Sequence, residues 1–143
     1  MDILLKQCET VAQNSPDSNR KVGCIITDET GTVILSACND LVIGVQQSEE
    51  RCCKPLKYKW IEHAERNAIY KAARNGICLA GKTIYINWFP CVECCRAIIQ
   101  SGISKIVAPT RPDTTHHRWG ESFQTALQML DEVGLEVVYF DDI

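Results

Sequence analysis

The chain has 143 residues and a mass of 16.1 kDa, with 45% hydrophobic and 23% charged residues. That is the balance of one soluble globular domain over residues 1–143, and it excludes a disordered or collagen-like chain. Fifteen basic against eighteen acidic residues leave a net charge of −3, which argues against a broad footprint for a polynucleotide while allowing one local anion pocket.

Leu4, Leu5, Cys8, Val11 and Ala12 recur at helical spacing and predict an amphipathic helix over the first dozen residues. Asn14-Ser15-Pro16-Asp17-Ser18 ends it. Residues 22–27 read as a strand, Asp28-Glu29-Thr30-Gly31 as a turn, and residues 32–36 as a second strand, giving an antiparallel hairpin. From 39 to 60 the periodicity is lost, as in a functional or mobile loop, and the charges of Glu49-Glu50-Arg51 and Lys54-Pro55-Leu56-Lys57 read as solvated. A helix is predicted over 61–75, with Ala64, Ala68, Ile69 and Ala72 on its apolar side and Gly76 as its stop.

Residues 83–88 alternate as a strand, and Pro90 opens a helix where its missing N–H does little harm. A strand at 104–108, a loop at 109–120, a helix at 121–133 and a strand at 135–140 complete the chain. Helices between the later strands require crossovers, hence parallel pairing there. The expected fold class is α/β, a three-layer α/β/α sandwich with a mixed five-stranded sheet.

No apolar run approaches the roughly 18 residues of a membrane helix, and Met1-Asp2-Ile3-Leu4-Leu5-Lys6-Gln7 lacks the basic leader of a signal peptide. Nine cysteines is an odd number, and with no export signal they read as the reduced thiols of a cytoplasmic protein. Cys8, Cys24, Cys38 and Cys78 fall at apolar positions and read as packing. Cys52-Cys53 lies in the polar loop, and Cys91, Cys94 and Cys95 form a cluster.

Two short stretches carry chemistry: His63-Ala64-Glu65 and Pro90-Cys91-Val92-Glu93-Cys94. Cys91 and Cys94, three positions apart in the first turn of a helix, turn both sulfurs the same way. The unpaired N–H groups and dipole of that end favour thiolates. With His63 they supply three ligands for Zn²⁺ and leave the fourth position for water, the pattern of a catalytic site. Glu65 is poorly placed as a fourth ligand but can exchange protons with that water. The chemistry that needs this set is hydrolytic deamination at an amidine-like carbon, with hydroxide attacking and Glu65 protonating the ring nitrogen and then the departing ammonia. Cys-x-x-Cys after a strand is also the thioredoxin-type redox arrangement. The His-x-Glu and Pro-Cys-x-x-Cys stretches on successive helices form the more specific signature of zinc deaminases. Cys95 reads as buried behind the ligands, since a further thiolate would close the site.

On these residues the chain resembles the zinc-dependent cytidine and deoxycytidylate deaminase superfamily, and within it the deoxycytidylate (dCMP) deaminases. The likeness runs from about Arg20 to Ala108 and is densest at His63-Ala64-Glu65-Arg66-Asn67-Ala68-Ile69 and at Trp88-Phe89-Pro90-Cys91-Val92-Glu93-Cys94. The resemblance implies a cytidine deaminase-like fold, zinc on His63, Cys91 and Cys94, and Glu65 as proton shuttle. It also implies that the main-chain N–H groups of Ala64 and Cys91 and the carbonyl near Pro90 hold the pyrimidine edge, with Asn39 at the sugar. A homo-oligomer is implied in the same way. At Ala37-Cys38-Asn39-Asp40-Leu41-Val42, the segment on which many relatives bind the regulatory nucleotides dCTP and dTTP, only the Asn of the family pattern is kept.

The expected reaction is conversion of dCMP to dUMP and ammonia. Phosphate recognition falls to Arg66, beside Glu65, or to Arg118 of His116-His117-Arg118-Trp119, with Trp119 stacking on the base; a helix N-terminus or a neighbouring subunit is the alternative. The alternatives are deamination of cytidine, cytosine, guanine or a modified pyrimidine, and a catalytically silent zinc-binding module, for which Glu65 has no use. A tRNA adenosine deaminase shares the motif, but the net charge of −3 speaks against a polynucleotide partner.

Overall fold

The computed structural model describes residues 2–142. Helix α1 (Ile3–Ala12) starts where the Asp2 carboxylate accepts the Leu4 N–H at 2.7 Å, satisfying one of the free donors of a helix start. Strands β1 (Gly23–Thr27) and β2 (Val33–Cys38) form the hairpin. The Asp28 carboxylate ties its turn by accepting the backbone N–H groups of Thr30 and Thr32.

Short elements follow: β3 (Asp40–Leu41), a 3₁₀ turn (Glu50–Cys52), α2 (Lys57–Trp60) and β4 (Ile61–Glu62). Then come α3 (Ala64–Arg74), β5 (Thr83–Ile86), α4 (Val92–Gln100), β6 (Lys105–Ala108), α5 (Gly120–Val133) and β7 (Glu136–Tyr139), closed by a 3₁₀ turn (Phe140–Asp142). The main sheet has five strands in the order β2-β1-β5-β6-β7. β1 runs antiparallel to both neighbours, and the β5–β6 and β6–β7 pairs are parallel. The mixed sheet of the sequence reading is thus present, with parallel pairing where helices intervene.

The helices divide unequally between the faces. Cys24, Ile26, Ile84, Ile86, Ile106 and Ala108 face one core together with Ala64, Ala68 and Ala72 of α3, Cys95 and Ile98 of α4, and Phe123, Ala126 and Leu130 of α5. Burying each such isoleucine stabilises the fold by about 1.5–3 kcal/mol. The opposite face of β1 is covered by α1. A Cβ added at Gly23 would lie 2.1 Å from the Cys8 carbonyl oxygen, so the glycine is what lets helix and strand backbones approach. Covered on both faces, β1 is buried at all five positions.

Three expectations change. The helix predicted from residue 61 starts at Ala64, because Ile61 and Glu62 pair antiparallel with Leu41 and Asp40. It stops at Gly76, whose φ of 68° suits a residue without Cβ. The stretch from 39 to 60 is not a solvated loop throughout: Lys57 is buried against Asp17, and Cys52 is buried as well. Cys78 is exposed and does not pack, whereas Cys8, Cys24 and Cys95 are in the interior. Among the described residues no helix is long and apolar enough to cross a membrane.

Candidate active site

The two helices that carry the motifs begin side by side. His63 is the N-cap of α3 (φ −68°, ψ 150°) and Cys91 the N-cap of α4 (φ −66°, ψ 167°), both in extended backbone. Behind His63 the Cys24 thiol donates to the Ala64 carbonyl at 3.3 Å. Ahead of Cys91, Phe89 packs edge-on against Phe123 with centroids 5.6 Å apart, and Pro90 is buried. Each donor residue is therefore held by a helix start anchored in the core.

His63 Nδ1 lies 3.5 Å from Cys91 Sγ and 3.3 Å from Cys94 Sγ, and the three donors fall within 4.8 Å of one another. A tetrahedral ion with Zn–S near 2.3 Å and Zn–N near 2.0–2.1 Å sets N and S roughly 3.5 Å apart, so the donor set fits Zn²⁺. One nitrogen and two sulfurs make three protein ligands, the number found in catalytic zinc sites.

The charges agree with that chemistry. A hydrogen bond from Cys94, against the opposing effect of burial and with help from His63, holds the Cys91 thiol down at about 4. Cys94 is pushed up by its bond to Cys91 and by burial, and His63 is raised by its bond to Cys91. Without a cation one sulfur is a thiolate and its neighbour keeps the proton; a bound dication deprotonates a coordinating thiol outright. Glu65, 4% exposed, has its carboxyl raised above the ordinary carboxylate range by burial. That shift moves it toward the range in which a carboxyl both takes and returns a proton near neutral pH.

These groups open into a cavity of about 210 Å³. His63, Glu65 and Cys91 line it together with Asn39, Lys57, Tyr58, Trp88 and Trp119. Ala64 lies on the wall, and Pro90 is buried just behind Cys91. Trp119 is brought to the cavity by the start of α5, where His116 Nδ1 accepts the Arg118 and Trp119 N–H groups at 3.1 Å.

Several expected contacts are differently employed. Asn39 is 6% exposed, and its amide nitrogen donates to the Arg20 carbonyl at 2.9 Å and to Asp17 at 3.2 Å. Its side-chain oxygen accepts the Val22 N–H at 2.8 Å, so it has no donor left for a sugar. Arg66 binds Glu62 at 2.7 Å and Glu93 at 2.9 Å, two carboxylates on one guanidinium. Arg118 does not line the cavity; it donates to the Tyr58 hydroxyl, and its guanidinium carbon stands 5.2 Å from the Tyr58 ring and 5.7 Å from the Trp119 ring, both on the wall. Sequence reasoning missed Arg20, Asp17, Lys57 and Tyr58 on the wall. Their one signal was a polar run on each side of the hairpin, which looks the same as solvated loop.

A mixed sheet flanked by helices, with an open His-Cys-Cys set and a buried carboxyl at two helix starts, defines the zinc deaminase class. The family described as "Cytidine and deoxycytidylate deaminase zinc-binding region" matches residues 2–110, and the chain belongs to it. It is 34% identical over 134 residues to an uncharacterized deaminase in the luxG 3′ region of Aliivibrio fischeri, covering 94% of this chain and 88% of that one. To the deoxycytidylate deaminase of Homo sapiens it is 35% identical over 103 residues, 67% of this chain and 56% of that protein. The chain thus spans about half the length of this second relative. The fold matches the crystal structure of a dCMP deaminase from cyanophage S-TIM5 with a TM-score of 0.73 at 24% identity, covering 95% of this chain and 93% of that one.

Proposed function

We propose that this deaminase converts dCMP and water to dUMP and ammonia. The observation that carries the reading is the buried Glu65 carboxyl beside the His63, Cys91 and Cys94 donor set, in a cavity with aromatic walls. Kinship with a deoxycytidylate deaminase supports the choice of substrate.

His63, Cys91 and Cys94 would hold Zn²⁺, which when bound would supply Lewis-acid activation of water at neutral pH. Glu65 takes the proton of the attacking water and delivers it to the ring nitrogen beside C4. It then relays the second proton, taken from the hydroxyl added at C4, to the amino group; the C4–N bond breaks, ammonia leaves and the C4 oxygen becomes the carbonyl. The N–H groups of Ala64 and Cys91, at helix starts where donors lack intrahelical partners, hold the base's acceptor edge, and the Pro90 carbonyl receives the amino group. Trp119, on the cavity wall, stacks on the base.

Ammonia release from dCMP, CMP, deoxycytidine, cytidine, cytosine and guanine tests the reading. The highest kcat/KM should fall on dCMP. A preference for a free base or ribonucleoside assigns the site to another small substrate, and no release from any of them by zinc-loaded protein leaves a silent zinc module. Sedimentation of the same samples reads the homo-oligomer that the resemblance implies.

A further inference from the structure

Among the described residues three Lys or Arg side chains line the cavity: Arg20, Lys57 and Arg66. A substrate phosphate brings a charge of about −1.5 to −2, and a cation already neutralised by carboxylates offers it little. Lys57 Nζ lies 3.0 Å from both oxygens of Asp17, so its charge is closed on a buried partner. Arg66 is shared by Glu62 and Glu93, which leaves that lip of the cavity net negative. Arg20 differs: among the described residues no carboxylate forms an ion pair with its side chain.

Its guanidinium is nevertheless in a fixed place. The guanidinium carbon stands 4.2 Å from the centroid of the Trp88 ring. A guanidinium stacked on an aromatic spends its face on the ring and keeps its N–H donors, which lie at the rim, for an anion. The backbone behind it is pinned as well. The Arg20 N–H donates to Asp17 at 3.2 Å, and its carbonyl accepts from Asn39 at 2.9 Å.

We infer that Arg20 is the group that recognises the substrate's phosphate monoester, with Trp88 as its platform and Asp17, Lys57 and Asn39 as positioning residues. The inference rests on the nucleotide reading above. It moves phosphate recognition from Arg66 and Arg118 to the stretch before β1, and gives the buried Asp17–Lys57 pair a role in substrate choice.

Calorimetric titration of zinc-loaded protein with dUMP and with deoxyuridine tests it without turnover. The unaltered protein should bind dUMP about tenfold to a hundredfold more tightly, the worth of charge-assisted hydrogen bonds. Arg20→Gln should bring the two affinities within about threefold by weakening dUMP alone, and Arg20→Lys should keep part of the preference. Equal affinities in the unaltered protein, or an unchanged preference in Arg20→Gln, overturn the inference. Loss of deoxyuridine binding in both variants makes Arg20 a packing residue and overturns it too. Ammonia release from dCMP separates the two readings: a dUMP preference that depends on Arg20, in protein that releases no ammonia, keeps the phosphate site and rejects the reaction.

Discussion

Lys57 Nζ sits 3.0 Å from both carboxylate oxygens of Asp17, joining α2 to the segment that precedes β1 across 40 residues of sequence. Both are buried, Lys57 at 7% and Asp17 at 5% exposure. Asp17 also accepts the N–H groups of Asn19 and Arg20 and the amide of Asn39. The pair therefore organises the part of the cavity wall to which Arg20 and Asn39 belong.

Removing one partner of such a pair strands the other charge in a low-dielectric interior. Lys57→Met should lower stability by about 3–5 kcal/mol, read by urea unfolding, and Asp17→Asn in the same chain should recover part of the loss. An unchanged midpoint in Lys57→Met would show that the pair is solvated.

Glu65→Gln keeps the shape of the side chain and removes its ability to exchange protons. Turnover should fall by about 10²- to 10⁴-fold, the usual share of a general acid–base group. Zinc content by atomic absorption should stay at that of the parent. Retained turnover would take Glu65 out of the mechanism.

Cys94→Ala leaves two donors where three are needed. The variant should lose stoichiometric zinc, and its melting temperature should fall to that of the chelated parent, since binding energy of the ion is also folding energy. Full zinc content in this variant and in Cys91→Ala would reassign the ligands.

Metal removal should expose an unusual thiol. Cys91 is a thiolate above about 4. In chelated protein its alkylation by iodoacetamide should therefore be nearly flat between about pH 6 and 8, where an ordinary thiol of pKa near 8.5 gains rate with each unit. Peptide mass spectrometry reads the sites: Cys91 ahead of Cys94 without metal, and both protected with zinc. A steep pH dependence at Cys91 would contradict the hydrogen bonds from Cys94 and His63.

The candidate metal donors were legible because each half of the set is local. A three-residue step at a helix start decides the direction of both sulfurs, and His63 and Glu65 are two positions apart. The strand order was legible in outline because helices at 92–100 and 120–133 force crossovers. The phosphate side was not. Lys57 in Lys54-Pro55-Leu56-Lys57 resembles any surface lysine until Asp17, from the far side of the hairpin, meets it in the interior. Ile61 and Glu62 continue a helical apolar pattern, and only the distant Asp40 and Leu41 turn them into a strand. Asn39 was legible as a polar residue near the site, yet its donors are taken by Arg20 and Asp17.

His63 and Cys91 both occupy the last position before a helix begins. The reacting centre consequently takes its accuracy from the buried alanines and isoleucines on which α3 and α4 rest. The residues that would tell one substrate from another stand on connecting segments instead. Substitutions on those connectors therefore leave the two helix starts and their buried supports in place, so substrate preference and the donor set can be altered independently.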